Sequence, residues 1–212
     1  MSGVVFKAEA LYCERDFRLL FEQLSFSVSA GDVVQVVGHN GVGKTSLLRG
    51  IYGLNADVKG DFSWFDEPWP KCRYALAERS LFLGHHAGVK AALSPRENLR
   101  WYFDLRQPVS IEQIDAALEK VGLAGYEETP CTLLSAGQHR RVALARLQLS
   151  QADVWILDEP FTAIDSDGVL ALEQQIEDFA VNGGAVLLTS HHKLTQIPRL
   201  RQLDLEAYRS HD

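Results

Sequence analysis

The chain reads as an α/β protein, a mainly parallel sheet covered by helices with a helical lobe set into it. Three observations predict this. Short strand-like runs alternate with helical stretches, and the strands are apolar on both faces, as in a parallel sheet covered on each side. A turn-rich segment rich in glycine joins the first of these strands directly to a helix. In the middle of the chain the alternation gives way to helix after helix.

Taken in order, Asp32–Val37 (DVVQVV) is short and β-branched, Gly38–Gly43 is the turn-rich segment, and Lys44–Tyr52 has helical character. Ser94-Pro95-Arg96-Glu97 is a capping box with proline at the first helical position. Ser110-Ile111-Glu112-Gln113 is a second box. It opens a helix that carries Ile114, Leu118 and Val121 on one face, with Gly122 past its end. Asp153–Leu157 and Ala185–Thr189 are buried strands. Between them Val169, Leu172, Ile176 and Phe179 recur at helical spacing until Asn182-Gly183-Gly184 stops the helix. The expected organisation is one domain over residues 1–212, with a core of about 1–85 and 151–212 and a helical subdomain of about 86–150.

Composition narrows the function classes. With 212 residues, 46% hydrophobic and 23% charged, the chain is long enough to bury a core and is ordinary for a globular protein. The net charge of -7 and the lack of any Lys/Arg block argue against a nucleic-acid partner. No apolar run is long enough to span a bilayer, and Met1–Phe6 lacks the regions of a signal peptide. Cys13, Cys72 and Cys131 lie far apart without a CxxC pair, so free thiols in a reducing compartment are expected.

Three motifs carry chemistry. Gly38-His39-Asn40-Gly41-Val42-Gly43-Lys44-Thr45 matches GxxxxGK[ST] between a strand and a helix. Its glycines let successive backbone N–H groups turn inward onto phosphate oxygens, and the helix dipole adds to the attraction. Lys44 is placed to reach the β- and γ-phosphates of ATP, and the Thr45 hydroxyl to ligate Mg²⁺. Val154-Trp155-Ile156-Leu157-Asp158-Glu159 is a buried strand ending in two carboxylates. Asp158 suits the metal's shell, and Glu159 can orient or deprotonate the attacking water. Leu134-Ser135-Ala136-Gly137-Gln138 places a serine and small residues at a helix N-terminus, a second anion site that a simple P-loop kinase does not need.

On these residues the chain resembles the ATP-binding-cassette (ABC) ATPases over nearly its whole length. LSAGQ looks like the family signature, normally LSGGQ, and assigns Ser135, Ala136, Gly137 and Gln138 to the ATP of a partner subunit. Phe161-Thr162-Ala163-Ile164-Asp165 looks like the D-loop and Ser190-His191 like the switch histidine at the γ-phosphate. The resemblance extends the nucleotide-binding set from Gly38 through Thr45 to Ser46. It implies a P-loop NTPase of ABC type, with N-terminal antiparallel strands beside the parallel core and an inserted helical subdomain. It also implies ATP and Mg²⁺ as cofactors, conversion of ATP and water to ADP and phosphate, and a head-to-tail dimer with a second copy. A membrane-spanning transporter subunit is the other implied partner.

Two departures are informative. Where the family has a glutamine, this chain reads Phe82-Leu83-Gly84-His85, so His85 occupies the metal- and partner-sensing position. Imidazole is a poor direct ligand for Mg²⁺, which leaves contact through a water, contact with the membrane partner, or simple packing as its roles. The aromatic expected against adenine is Arg15, whose guanidinium plane could stack instead, with Phe17 nearby. The stretch from Leu83 to Leu99, with LSAGQxRRVALARL, is similar to the ATPase of the bacterial cytochrome c maturation system, long called the haem exporter. That group implies a peripheral protein on the cytoplasmic face of the inner membrane. There its hydrolysis drives haem export or release of a haem-loaded chaperone, so haem is met only indirectly.

Other readings stay open at this point: another small transporter ATPase, a soluble ABC ATPase, or a haem-binding module. His85 and His86 are adjacent and histidines are common haem ligands, but no CxxCH occurs. Trp101-Tyr102-Phe103 fits either a helix core or a partner contact.

Overall fold

In the computed structural model, residues 3–104 and 106–209 are described. The chain begins with a long antiparallel hairpin, β1 (Val4–Arg15) and β2 (Arg18–Ser29), turned through Asp16 and Phe17, both at positive φ. Then come β3 (Val33–Val37), α1 (Lys44–Ile51), β4 (Val58–Trp64), the two-residue β5 (Glu67–Pro68), α2 (Arg73–Arg79) and β6 (Ser80–Leu83). The helices α3 (Pro95–Phe103), α4 (Ile111–Lys120) and α5 (Ala136–Leu149) follow. The chain returns through β7 (Val154–Asp158), α6 (Ser166–Val181), β8 (Ala185–Thr189) and β9 (Leu200–Asp204).

Two sheets result. One is four-stranded, in the order β2-β1-β4-β5, and its neighbouring strands pair antiparallel. The other is five-stranded, in the order β6-β7-β8-β3-β9, and β7–β8, β8–β3 and β3–β9 pair in parallel. Every residue of β7 and of β8 is buried, which is why those strands read as continuous apolar runs.

The chain divides into two compact units. The first comprises Met1–Phe82, Ala152–Glu159 and Leu172–Asp212. Its core gathers Phe6, Phe21 and Trp64 from the antiparallel strands with Leu47, Leu48 and Ile51 of α1 and Ile156 and Leu187 of the parallel sheet. Trp155 stacks face to face on Phe179, ring centroids 3.7 Å apart. The second comprises Leu83–Gln151 and Pro160–Ala171. Its core is Leu99 of α3, Ile114 and Leu118 of α4, and Val142 and Ala145 of α5. In it Trp101 is 56% exposed, with the Lys90 ammonium 4.1 Å from its ring centre, while Phe103 is buried.

All three cysteines are buried and free. Burial, reinforced by Asp57, pushes the Cys13 thiol up to about 11, and burial also raises Cys72 and Cys131. Thiols held protonated in this way are poor nucleophiles. Among the described residues, no helix is long and apolar enough to cross a membrane.

Candidate nucleotide site

The phosphate loop lies between β3 and α1, and its backbone follows from its glycines. Gly38 (φ 138°) and Gly43 (φ 110°) occupy conformations that side chains rarely adopt. A Cβ on Gly38 would meet Val42 at 2.9 Å, and one on Gly43 would press on the Phe21 ring at 3.2 Å. Gly43 is the N-cap of α1 and supplies no side-chain acceptor, so no cap of its own takes up the first N–H groups of that helix. Free N–H groups at a helix start bind anions. The Lys44 ammonium donates to the carbonyls of Gly38 (2.7 Å) and His39 (3.1 Å), which holds it across the loop. Thr45 is exposed and Ser46 buried; Asn40 and Gly41 are exposed and Val42 is buried.

The carboxylate pair sits at the end of β7. Asp158 is 1% exposed, and its Oδ1 accepts from the hydroxyls of Thr45 (3.0 Å) and Thr189 (2.8 Å). The register brings this about, since Asp158 lies opposite Thr189 on β8. Glu159 has φ +51°, a strained backbone for a residue with a side chain. Its N–H donates to Thr189 Oγ1 at 2.9 Å. Its carboxylate accepts from the His191 N–H at 3.2 Å, and the His191 ring nitrogen lies 3.5 Å from the other oxygen. Glu159 and His191, assigned separately from two motifs, therefore meet.

The signature serine caps α5. Ser135 Oγ accepts from the Gln138 N–H (3.2 Å), and the Gln138 side chain accepts from the Ser135 N–H (2.9 Å). Ser-Ala-Gly-Gln is thus also a capping box, a reading its spacing allowed. Ser135 and Ala136 are exposed. A Cβ on Gly137 would lie 2.8 Å from the Ala163 carbonyl, so glycine is required where the signature passes the D-loop. Asp165 accepts from the Gly168 N–H (3.0 Å) and pairs with Arg141 (2.5 Å). The Gly168 bond first, then Arg141, holds its carboxyl below the usual range.

His85 is exposed and edge-on to His86, ring centres 5.5 Å apart. Its loop is held from α5, because buried Arg140 donates to the carbonyls of Gly84 (2.9 Å) and Pro160 (3.1 Å), and Arg146 to that of Gly88 (2.8 Å). Arg15 is exposed at the end of β1, 3.5 Å from Asp16, and Phe17 beside it is wholly exposed. Two contributors escaped the sequence reading. Thr189 joins the carboxylate pair, and Glu206 accepts the His39 N–H at 2.7 Å and contacts the His39 ring. The His39 N–H above all holds the Glu206 carboxyl below its ordinary range. Among the described residues no group of three or more His, Cys, Asp or Glu could hold a metal.

Residues 21–162 match the family model described as ABC transporter. The chain is 52% identical over 200 residues to a cytochrome c biogenesis ATP-binding export protein of Pseudomonas putida, covering 94% of this chain and 95% of that protein. It is 51% identical to the protein so named from Hahella chejuensis, covering 95% of each. Among solved structures, an ABC transporter ATP-binding protein of Pyrococcus furiosus superimposes with a TM-score of 0.82 at 26% identity, over 97% of this chain and 99% of that one. ATP binding and ATP hydrolysis are the activities that accompany this fold and these relatives. The chain belongs to the ABC transporter family of ATP-binding proteins, within its group of cytochrome c biogenesis ATP-binding export proteins.

Proposed function

We propose that this chain is the ATP-hydrolysing subunit of a membrane complex in cytochrome c biogenesis, where its turnover drives haem export or release of a haem-loaded chaperone. The observation that carries the reading is identity of about half over nearly the full length to proteins bearing that name, supported by a phosphate loop, a carboxylate pair and a histidine on Glu159 in one chain. In this reading the protein is peripheral on the cytoplasmic face of the inner membrane, held by a membrane-spanning subunit. It meets haem only through that complex.

The loop Gly38–Thr45 with Ser46 cradles the phosphates of ATP, and Lys44 leaves its loop carbonyls to pair with phosphate oxygen. Arg15 and Phe17, at the tip of the first hairpin, are the side chains offered to the base. Thr45 and Asp158 would hold Mg²⁺. Hydroxyl and carboxylate are the hard oxygen donors this ion takes, and phosphates and waters would complete its shell. When bound, the ion neutralises charge building on the phosphates. Glu159 takes up or directs the proton of the attacking water, and His191, already on Glu159, reaches the γ-phosphate. Ser135–Gln138 and Asp165 face the ATP of a second copy, and His85 reads the membrane partner or the metal through a water.

Complementation tests this. A bacterium lacking its own such protein should regain c-type cytochromes, seen by haem staining, with the wild-type chain but not with Glu159→Gln. Restoration by Glu159→Gln, or failure of well-expressed wild type, would sink the proposal.

A further inference from the structure

On α6 one acidic residue sits where the helix is buried. Leu172, Ile176 and Ala180 face inward with Glu173, whose side chain is 0% exposed. A carboxylate in such a place is sustained only by full hydrogen bonding. Its partners all belong to one segment, the chain that follows β8. Glu173 Oε2 accepts from the N–H groups of Thr195 (3.1 Å) and Gln196 (2.7 Å), and Oε1 lies 3.2 Å from a ring nitrogen of His192. That segment contains no helix or strand, so it has no backbone ladder to fix it. Further hydrogen bonds hold its start. The Ser190 carbonyl accepts from Gln35 (3.2 Å), and the His192 N–H donates to Ser190 Oγ (2.8 Å).

We infer that Glu173 is a positioning residue for hydrolysis: its buried carboxylate fixes the segment from Ser190 to Gln196 so that His191 stays on Glu159. The chain of contacts is continuous. Glu173 holds His192, Thr195 and Gln196, and the neighbouring His191 meets the Glu159 carboxylate through both its N–H and its ring. Without Glu173 the N–H groups of Thr195 and Gln196 lose the side-chain acceptor that ties them to α6, and the segment is released from that helix. A displacement of about 1 Å at a reacting geometry costs on the order of a hundredfold in rate. The phosphate loop has its own supports, so ATP affinity should not change. The inference rests on the proposed role of His191 and deepens it.

The test compares ATP affinity, steady-state turnover and amide hydrogen exchange in the full chain for wild type, Glu173→Ala, Glu173→Gln and His191→Ala. Glu173→Ala should lose at least about tenfold in kcat with ATP affinity within about twofold, and exchange should accelerate at Thr195 and Gln196. Glu173→Gln keeps an oxygen for both N–H groups and should hold kcat within about threefold of wild type. Should Glu173→Ala not fold, Glu173→Asp, one methylene short of its partners, takes its place with the same expectation. Wild-type turnover in the Ala or Asp variant while His191→Ala is inactive overturns the role of Glu173 alone. Equal loss of ATP affinity and turnover overturns it too, since that marks a general structural defect. Normal turnover in His191→Ala overturns instead the reading of the switch histidine, and this inference with it.

Discussion

Lys44 shows how a residue's neighbours set what its substitution should do. Its ammonium rests on two carbonyls of its own loop, so it reaches the phosphates from a prepared position rather than from solvent. Lys44→Ala should therefore weaken ATP binding on the order of a hundredfold, the loss of charge-assisted contacts to phosphate. A nucleotide titration giving wild-type affinity would refute the phosphate-loop assignment. Single residues were legible in the sequence where the chemistry is local. Lys44, Thr45, Asp158 and Glu159 stand within short motifs whose strand or helix context is contiguous. Thr189, Glu173 and Glu206 were not, because each reaches its partner across the register of distant strands or from a helix packed over them. Glu173 left one trace in the pattern, an acidic residue on the apolar stripe of Leu172 and Ile176.

Three helices of the second unit begin with the same reciprocal cap, at Ser94, Ser110 and Ser135. The boxes at Ser94 and Ser110 were readable from spacing; the third was masked by its second meaning as a signature. This double use makes a separable prediction. Ser94→Ala and Ser135→Ala each remove one cap, worth about 1 kcal/mol. Each should lower the melting midpoint by roughly 2–4 °C. Turnover should fall in Ser135→Ala and persist in Ser94→Ala, because the proposed head-to-tail dimer offers the Ser135 hydroxyl, and not that of Ser94, to a second copy's ATP. Equal turnover in the two variants, measured at saturating ATP, would reduce the signature serine to a helix cap. The helix that opens at Ser110 was legible from its box to Gly122, whereas the long β1–β2 hairpin was not legible from its own residues. Its burial pattern is broken by repeated register shifts, and it carries no glycine at its turn.

At the scale of the molecule, one chain carries both a phosphate loop and a signature, and the family resolves that duplication by pairing two copies head to tail. Glu159→Gln keeps the shape of the carboxylate but removes the proposed base, so turnover should drop by about a hundredfold or more while ATP stays bound. Trapped ATP should then join two subunits, and light scattering at saturating ATP should register a dimer where the wild type returns to monomer. Monomer under those conditions would count against the shared-nucleotide arrangement. The unequal burial of the tryptophans has a use of its own. Trp64 and Trp155 are closed to solvent and Trp69 is half-buried, but Trp101 stands open under Lys90 in the helical unit. A soluble quencher will therefore extinguish one emitter ahead of the rest, giving the unlabelled protein a native optical reporter for whatever comes to cover that helix.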